Sequence, residues 1–443
     1  MLGFAIAMII LATLPLILLR PHVGILAWTW LGLMNPHRMS WGGVVESGHF
    51  SLIIGSATLL AWFLSREPKR VPLNAITVLL ALFALSLTLS TIAALAPEAA
   101  FEGWSRSIKI MLMAFVTMAL TERRTRLHAL IWITVLSLGF FGVTNGMKTI
   151  LSGGQSIVWG PSRSFIADNN QLALAMLMTL PLMRYLQLQT DNRLFRWGLG
   201  AAMVLTFFSV IGSHSRGAFL GLLIVTVTLI MKSRYRLRIG ALILGLAVIG
   251  AFFVPQSWVE RMETIRHYEQ DESAMSRLRA WDFNYQIARE RPILGGGINA
   301  HENRELFMRL VPDAKKVRNA HSVYFQALGS QGFLGLFLFL ALAVAVWKSL
   351  SRVRKTTKND KRNSWAYDLA SMVQVSMLGY FSAGAFVNLT YFDLYYLVVA
   401  LAVALPRAIA LERPASEPTR PETKSAELVD FAAPKPRLHP LRG

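Results

Sequence analysis

Apolar runs long enough to cross a membrane recur along this chain, and short basic loops follow every second one. Stretches 2–19, 73–95, 127–147, 239–254 and 333–347 contain no Asp, Glu, Lys or Arg. About 20 such residues span the hydrocarbon core of a bilayer as a helix. A backbone in lipid must satisfy its own hydrogen bonds, so a chain with many such runs is driven to a bundle of helices. The expected fold class is therefore all-α, a polytopic integral membrane protein. A content of 54% hydrophobic and 16% charged residues agrees.

Loops 66–70, 122–126, 192–196, 232–238 and 348–362 are rich in Lys and Arg, which assigns them to the cytoplasmic side. The alternate connections, 35–50, 97–106, 148–171, 213–217, 256–320 and 388–393, then face outward. Thirteen apolar segments result if 2–19 and 23–34 both span, and twelve if one is re-entrant; about twelve transmembrane helices is the preferred reading. The first run lacks a basic start and is followed by another apolar run, so it reads as a retained helix rather than a signal peptide. A formal charge of +20 would suggest nucleic acid in a soluble protein. Here much of it sits in short loops where topology accounts for it, so membrane lipids and not nucleic acid are the expected surroundings. Cysteine is absent, which excludes disulfides and thiolate metal sites. The chain divides into membrane helices over 1–255, a helical cap loop over 256–320, further membrane helices over 321–412 and a Pro-rich tail over 413–443. The tail is expected to be disordered and cytoplasmic.

The long loop carries 11 Lys/Arg and 10 Asp/Glu, and loops of this length are largely exempt from the orientation rule. Leu278, Trp281, Tyr285 and Ala288 recur at helical spacing and predict a helix over 275–289. Gly295-Gly296-Gly297 after Pro292 ends it, and a second amphipathic piece covers 302–310. The loop reads as a small helical cap over the outer face, not a separate domain.

Ionisable groups at the outer ends of spans are costly and stand as functional candidates. Arg216, in Ser213-His214-Ser215-Arg216-Gly217, lies in a short outward turn where a positive charge is disfavoured. Either an anionic ligand or snorkelling with ion pairing accounts for it, and a guanidinium fork fits phosphate well. Arg163 precedes Asp168-Asn169-Asn170, which reads first as a helix N-cap and also as an edge of a phosphate site. Arg277 and Arg279 lie on what is either a solvated face or part of the same site. His321 opens the next span, where an imidazole suits a general base or a plain hydrogen-bonded helix start. The contexts of His22, His37, His49, His214, His267 and His301 are weaker, His214 being the best of them. No Asp-x-Asp, His-x-x-x-His or His-Glu-x-x-His occurs, so no metal is expected. The glycine run lacks a following Lys-Ser/Thr and reads as no nucleotide loop; no cofactor is expected.

Together these positions resemble the bacterial O-antigen ligase and polymerase superfamily. Ser215-Arg216-Gly217-Ala218 is similar to its Ser-Arg-Gly motif. Arg277-Leu278-x-x-Trp281, with Arg291-Pro292-Ile293-Leu294-Gly295-Gly296-Gly297, resembles its Arg-x-x-x-Trp and Pro-x-x-Gly-x-Gly block. His321, before Tyr324 and Gly332-Phe333-Leu334-Gly335-Leu336, matches its His-Asn and Gly-x-x-Gly-Leu segment. Ser322 replaces the usual Asn, and Gln331 replaces a common acid. Leu33-Met34-Asn35-Pro36-His37-Arg38 is similar to an exosortase-associated O-glycosylation ligase subgroup. The resemblance implies a GT-C-like, metal-free glycosyltransferase of the bacterial inner membrane with a periplasmic active site. It implies a glycan donor on undecaprenyl pyrophosphate and, in ligases, a lipid A–core hydroxyl as acceptor. His321 would be the base and Arg216 the pyrophosphate ligand, with Arg163 and Arg277 as further candidates. Pyrophosphate is a good leaving group, so fixed arginines could stabilise the developing charge by preorganisation, and displacement with inversion is expected. A polymerase or a protein O-oligosaccharyltransferase fits the same motifs. A lipid-glycan transporter fits less well, because its polar residues belong near the bilayer midplane.

Overall fold

A computed structural model describes residues 2–39, 49–232 and 272–412. The expected span 239–254, the first part of the cap loop, most of the loop 232–238 and the tail 413–443 lie outside the described residues. The described helices are α1 (Leu2–Leu19), α2 (Pro21–Met34), α3 (Phe50–Leu64), α4 (Ala75–Ile92), α5 (Pro97–Leu120), α6 (Arg124–Leu151), α7 (Asn169–Gln189), α8 (Arg193–Gly212) and α9 (Arg216–Lys232). After the gap come α10 (Glu272–Glu290), α11 (Arg304–Leu310), α12 (Val323–Thr357), α13 (Ser364–Ala383) and α14 (Asp393–Glu412). No strand occurs among the described residues.

Local chemistry sets the helix starts. Asn74 caps α4, accepting from the Ile76 and Thr77 amides at 2.9 and 3.1 Å. Pro21 and Pro97 occupy first turns, where the missing N–H costs nothing. Six helical stretches are long and apolar enough to cross a bilayer: α4, α6, α8, α12, Ser364–Phe386 and α14. Phe4–Leu19 and Phe50–Leu64 are shorter apolar helices. The central helices α7 and α14 are buried all round, Leu172–Met183 and Leu394–Leu405 having no exposed residue. That is the signature of a helix enclosed by others. Between α6 and α8, Gly142 meets Thr206, Gly146 meets the Leu205 carbonyl and Gly212 meets Thr149, so small residues bring the two backbones together.

Contacts sort the connections onto two ends of the bundle. At one end Arg126 pairs with Glu67 at 2.5 Å, Arg407 with Glu122, Gln189 with Asp368 at 3.0 Å, and Trp365 with Glu412 at 3.1 Å. This is the end that carries the basic loops. At the other end the Asn169 amide donates to the Ser213 carbonyl at 2.7 Å, Asn303 donates to Leu95 at 3.0 Å, and Thr390 donates to Val323 at 2.7 Å.

The described part of the cap sits at this second end. Phe283, Ile287, Ala300, Leu306, Phe307, Val311 and Ala314 form a small core of its own, with the Phe283 and Phe307 rings 4.4 Å apart. The residues that mark the helical period are only partly covered, Ala288 being buried. Leu278 and Tyr285 are 42% and 44% exposed, and the buried row is Ala280, Phe283, Asn284, Ile287 and Ala288. Phe283 and Ile287 face the cap core, and Asn284 packs closely on Gly329 of α12.

α12 is longer than a bilayer requires. Its 35 residues would span about 52 Å at 1.5 Å each. It breaks at Gly332, whose φ of 68° lies in the left-handed region. The glycine block of the cap docks there, backbone on backbone: Gly296 N–H donates to Gly329 O at 2.8 Å and Gly297 N–H to Ser330 O at 3.0 Å. A Cβ on Gly332 would strike the Pro292 carbonyl. The two glycine-rich motifs, 37 residues apart in sequence from Gly295 to Gly332, thus form one joint.

Candidate active site

His321 lies at this joint's outer side. It follows the buried Ala320 and precedes Ser322, the extended N-cap of α12. Its own φ is 42°, in the left-handed region that side-chain-bearing residues rarely enter. Trp281 holds the peptide in that shape: its indole N–H donates to Ala320 O at 2.8 Å and its ring stacks on Phe325 at 4.9 Å. Arg277 is one helical turn before Trp281 and shares its face.

Burial pushes the His321 imidazole down to about 4, the positive charges of Arg277 and Arg318 push the same way, and Asp168 opposes them. The group is therefore neutral near pH 7, as a proton acceptor must be. His301, in the turn Ala300–Glu302, is also held at about 4, by burial and then by the charge of His321. The structure thus assembles His321 with Arg277, Arg318, Asp168 and His301, drawn from α10, the α7 cap and the cap loop.

Asp168 has two roles. Its carboxylate caps α7, accepting from the Asn170 amide at 2.9 Å, as the sequence reading expected. It is also the negative neighbour of His321. The adjacent Asn169 then ties this corner to the Ser213 turn at the start of α9. There the Ser215 hydroxyl accepts from the Ala218 amide at 3.2 Å, an N-cap bond. Gly217 meets the Phe386 side chain, whose Cβ would lie 2.8 Å from a Cβ added there. Ser215 and Gly217 are thereby explained by capping and close packing. Phe386 belongs to the turn that also carries Gly384, in contact with Val323 two residues after His321. Arg163 is exposed, with φ 55°, in the loop that ends at Asp168. Of the expected pyrophosphate ligands, Arg277 is one whose charge is felt at His321.

Sequence reasoning did not flag Arg318, ranked His301 among the weaker histidines, and read the Asp168 segment as a cap or an edge of a phosphate site rather than as a neighbour of His321. Arg318, three residues before His321, could have been flagged by proximity. Nothing local marks His301, whose approach depends on the docking of the glycine block. Among the described residues no three His, Asp or Glu side chains converge as a metal site requires.

A helical membrane protein with an imidazole and guanidinium groups gathered under a cap at one end is the class that fold and site define. Residues 201–340, which hold Arg216, Arg277, His321 and both glycine motifs, match the family described as O-Antigen ligase. That match supports the O-antigen ligase superfamily, a group of glycosyltransferase-like membrane enzymes. Residues 1–190 match a family of unknown function (DUF5935). No curated protein matches the chain.

Proposed function

We propose that this chain is an O-antigen ligase. It transfers a glycan from undecaprenyl pyrophosphate to a sugar hydroxyl of lipid A–core, at the periplasmic face of the bacterial inner membrane. The observation that carries this reading is the convergence of a neutral His321 with Arg277 and Arg318, all within the stretch that matches the ligase family, and with Asp168 outside it. His321 takes the proton of the acceptor hydroxyl as its oxygen attacks the anomeric carbon. The bond to the pyrophosphate oxygen breaks, and the pyrophosphate leaves with the electron pair. Arg277, with Arg216 and Arg163 at the adjoining turn and loop, stabilises that charge without a metal, and Asp168 stabilises the imidazolium that forms. One displacement inverts the anomeric configuration. The fold is read as GT-C-like with about twelve spans, and the likeness at Leu33–Arg38 points to the exosortase-associated subgroup.

The test is rescue of a ligase-deletion strain by wild type, His321→Ala and Arg216→Ala at matched membrane levels, with lipopolysaccharide read on a gel. Long-chain bands from wild type alone support the reading. Full rescue by His321→Ala sinks the mechanism. No rescue by wild type moves a polymerase or a protein O-oligosaccharyltransferase ahead, the first leaving single repeats on the lipid and the second leaving proteins without glycan. Retention of the donor's anomeric configuration in the product would rule out a single displacement.

A further inference from the structure

Arg216 opens α9, so the turn that precedes it decides where its side chain starts from. That turn is tied down at three consecutive residues, each by the outward loop after α6 or by the start of α7. The Val158 N–H donates to Gly212 O at 3.3 Å. The Asn169 side-chain amide donates to Ser213 O at 2.7 Å. The His214 Nε2 lies 2.9 Å from Gly154 O. A carbonyl can only accept, so Nε2 carries the proton and donates.

The two bonds made by side chains are the informative ones. His214 has a φ of 55°, in the left-handed region. Glycine enters that region at no steric cost and is the default residue there. The shape of the turn alone therefore does not require histidine. What the imidazole adds is reach across to Gly154, itself at φ 80° and held by its N–H on Thr149 O at 2.8 Å. Asn169 braces the residue just before. Asp168 already caps α7, and the Asn169 amide spans instead to the neighbouring turn. Asn169 Oδ1 accepts from Asn170 Nδ2 at 2.9 Å, and the same nitrogen donates to Asp168 Oδ1 at 2.8 Å. One chain of bonds thus runs from Asp168 through Asn170 and Asn169 to the Ser213 turn.

A charge stabilises a leaving group best when it is held in place before the reaction. An arginine reaches its target through a long, flexible stem, so its backbone origin has to be fixed by something else. We infer that His214 and Asn169 are positioning residues: their bonds to Gly154 and Ser213 fix the turn from which Arg216 reaches the donor's pyrophosphate. This rests on the glycosyl-transfer reading, in which Arg216 meets that pyrophosphate, and it says what holds the donor side of the site.

The experiment uses the full-length protein in nanodiscs, an undecaprenyl-pyrophosphate-linked glycan as donor and rough-strain lipid A–core as acceptor. Undecaprenyl pyrophosphate itself serves as a binding probe by native mass spectrometry. His214→Gly removes the imidazole and relieves the φ of 55°. The donor KM is expected to rise about tenfold, with the acceptor KM unchanged and the melting temperature unchanged or raised. His214→Gln, whose amide offers an N–H at similar reach, recovers most of the loss. Asn169→Ala cuts the other brace and shifts the donor KM in the same direction. In an Arg216→Ala background neither substitution weakens probe binding further, because the group they position is gone. Should His214→Gly not fold, Asn169→Ala against His214→Gln carries the comparison. A donor KM that stays at the wild-type value, a loss that only follows the melting temperature, or an added loss in the Arg216→Ala background overturns this inference and leaves the ligase reading standing. Wild type that does not bind the probe overturns both.

Discussion

The indole N–H of Trp281 donates to the carbonyl of Ala320 at 2.8 Å, one peptide before His321. A residue of the cap helix thereby sets the backbone of the residue proposed as base. Trp281→Phe keeps the ring on Phe325 and removes only this bond. The expected result is a loss of about 1 kcal/mol of stability, with transfer falling about 10- to 100-fold because the imidazole is no longer held in place. Thermal unfolding in detergent and turnover on matched protein check the two together. A large stability loss with proportionate activity would mean that Trp281 is only a packing residue.

The joint between the glycine motifs gives a second expectation. Gly332→Ala combines a φ of 68° with a collision against the Pro292 carbonyl, and is expected to cost about 2–4 kcal/mol. Gly153→Ala, at φ 60° with nothing within 4 Å, meets the backbone penalty alone, about 1–2 kcal/mol. Comparing the two unfolding midpoints isolates the docking of the cap on α12. Equal losses would mean that the joint contributes little.

The acid side of the pH profile should report His321. Its folded value of about 4 lies below the ordinary 6.5, so the native group stays neutral while the unfolded one takes a proton as pH falls between these values. Stability from this residue is thus full above pH 6.5 and declines as pH drops toward 4. Activity that needs the neutral ring is expected to hold to about pH 5 and fall below it. Arg277→Gln removes a neighbouring positive charge and should move the acid limb upward. A limb that stays in place would place the titrating group elsewhere.

Asp168→Asn separates capping from charge. Asparagine caps as well as aspartate, so α7 should be unaffected, whereas the imidazolium loses its negative neighbour. A fall in kcat of about tenfold is expected, with an unchanged melting temperature. A melting change without a kcat change would leave Asp168 as a cap only.

Much of this architecture was readable from residue patterns, because lipid imposes one solution on apolar runs. α4, α6 and the core of α12 fall where uncharged stretches of spanning length place them. The Met275–Arg289 periodicity located α10 but not its whole buried side, since Phe283 and Ile287 pack in the cap core and Asn284 packs on Gly329, contacts that a local pattern does not contain. His321 stood out because it opens an apolar run, and Arg277 because Arg277-x-x-x-Trp281 resembles a family motif. The relation of His301 and of Asp168 to His321 was not visible. Both depend on three segments far apart in sequence meeting at one corner, which no local pattern encodes.

Arg163, His214 and His321 all adopt positive φ, at 55°, 55° and 42°, although none is glycine. Each forgoes about 1 kcal/mol that a residue without a Cβ would recover. A library of this chain sorted only for thermal survival should therefore drift to glycine at these positions, gaining robustness as it loses transfer. A consensus drawn from such survivors would be sturdier than the natural chain and blank at the corner where the chemistry is proposed.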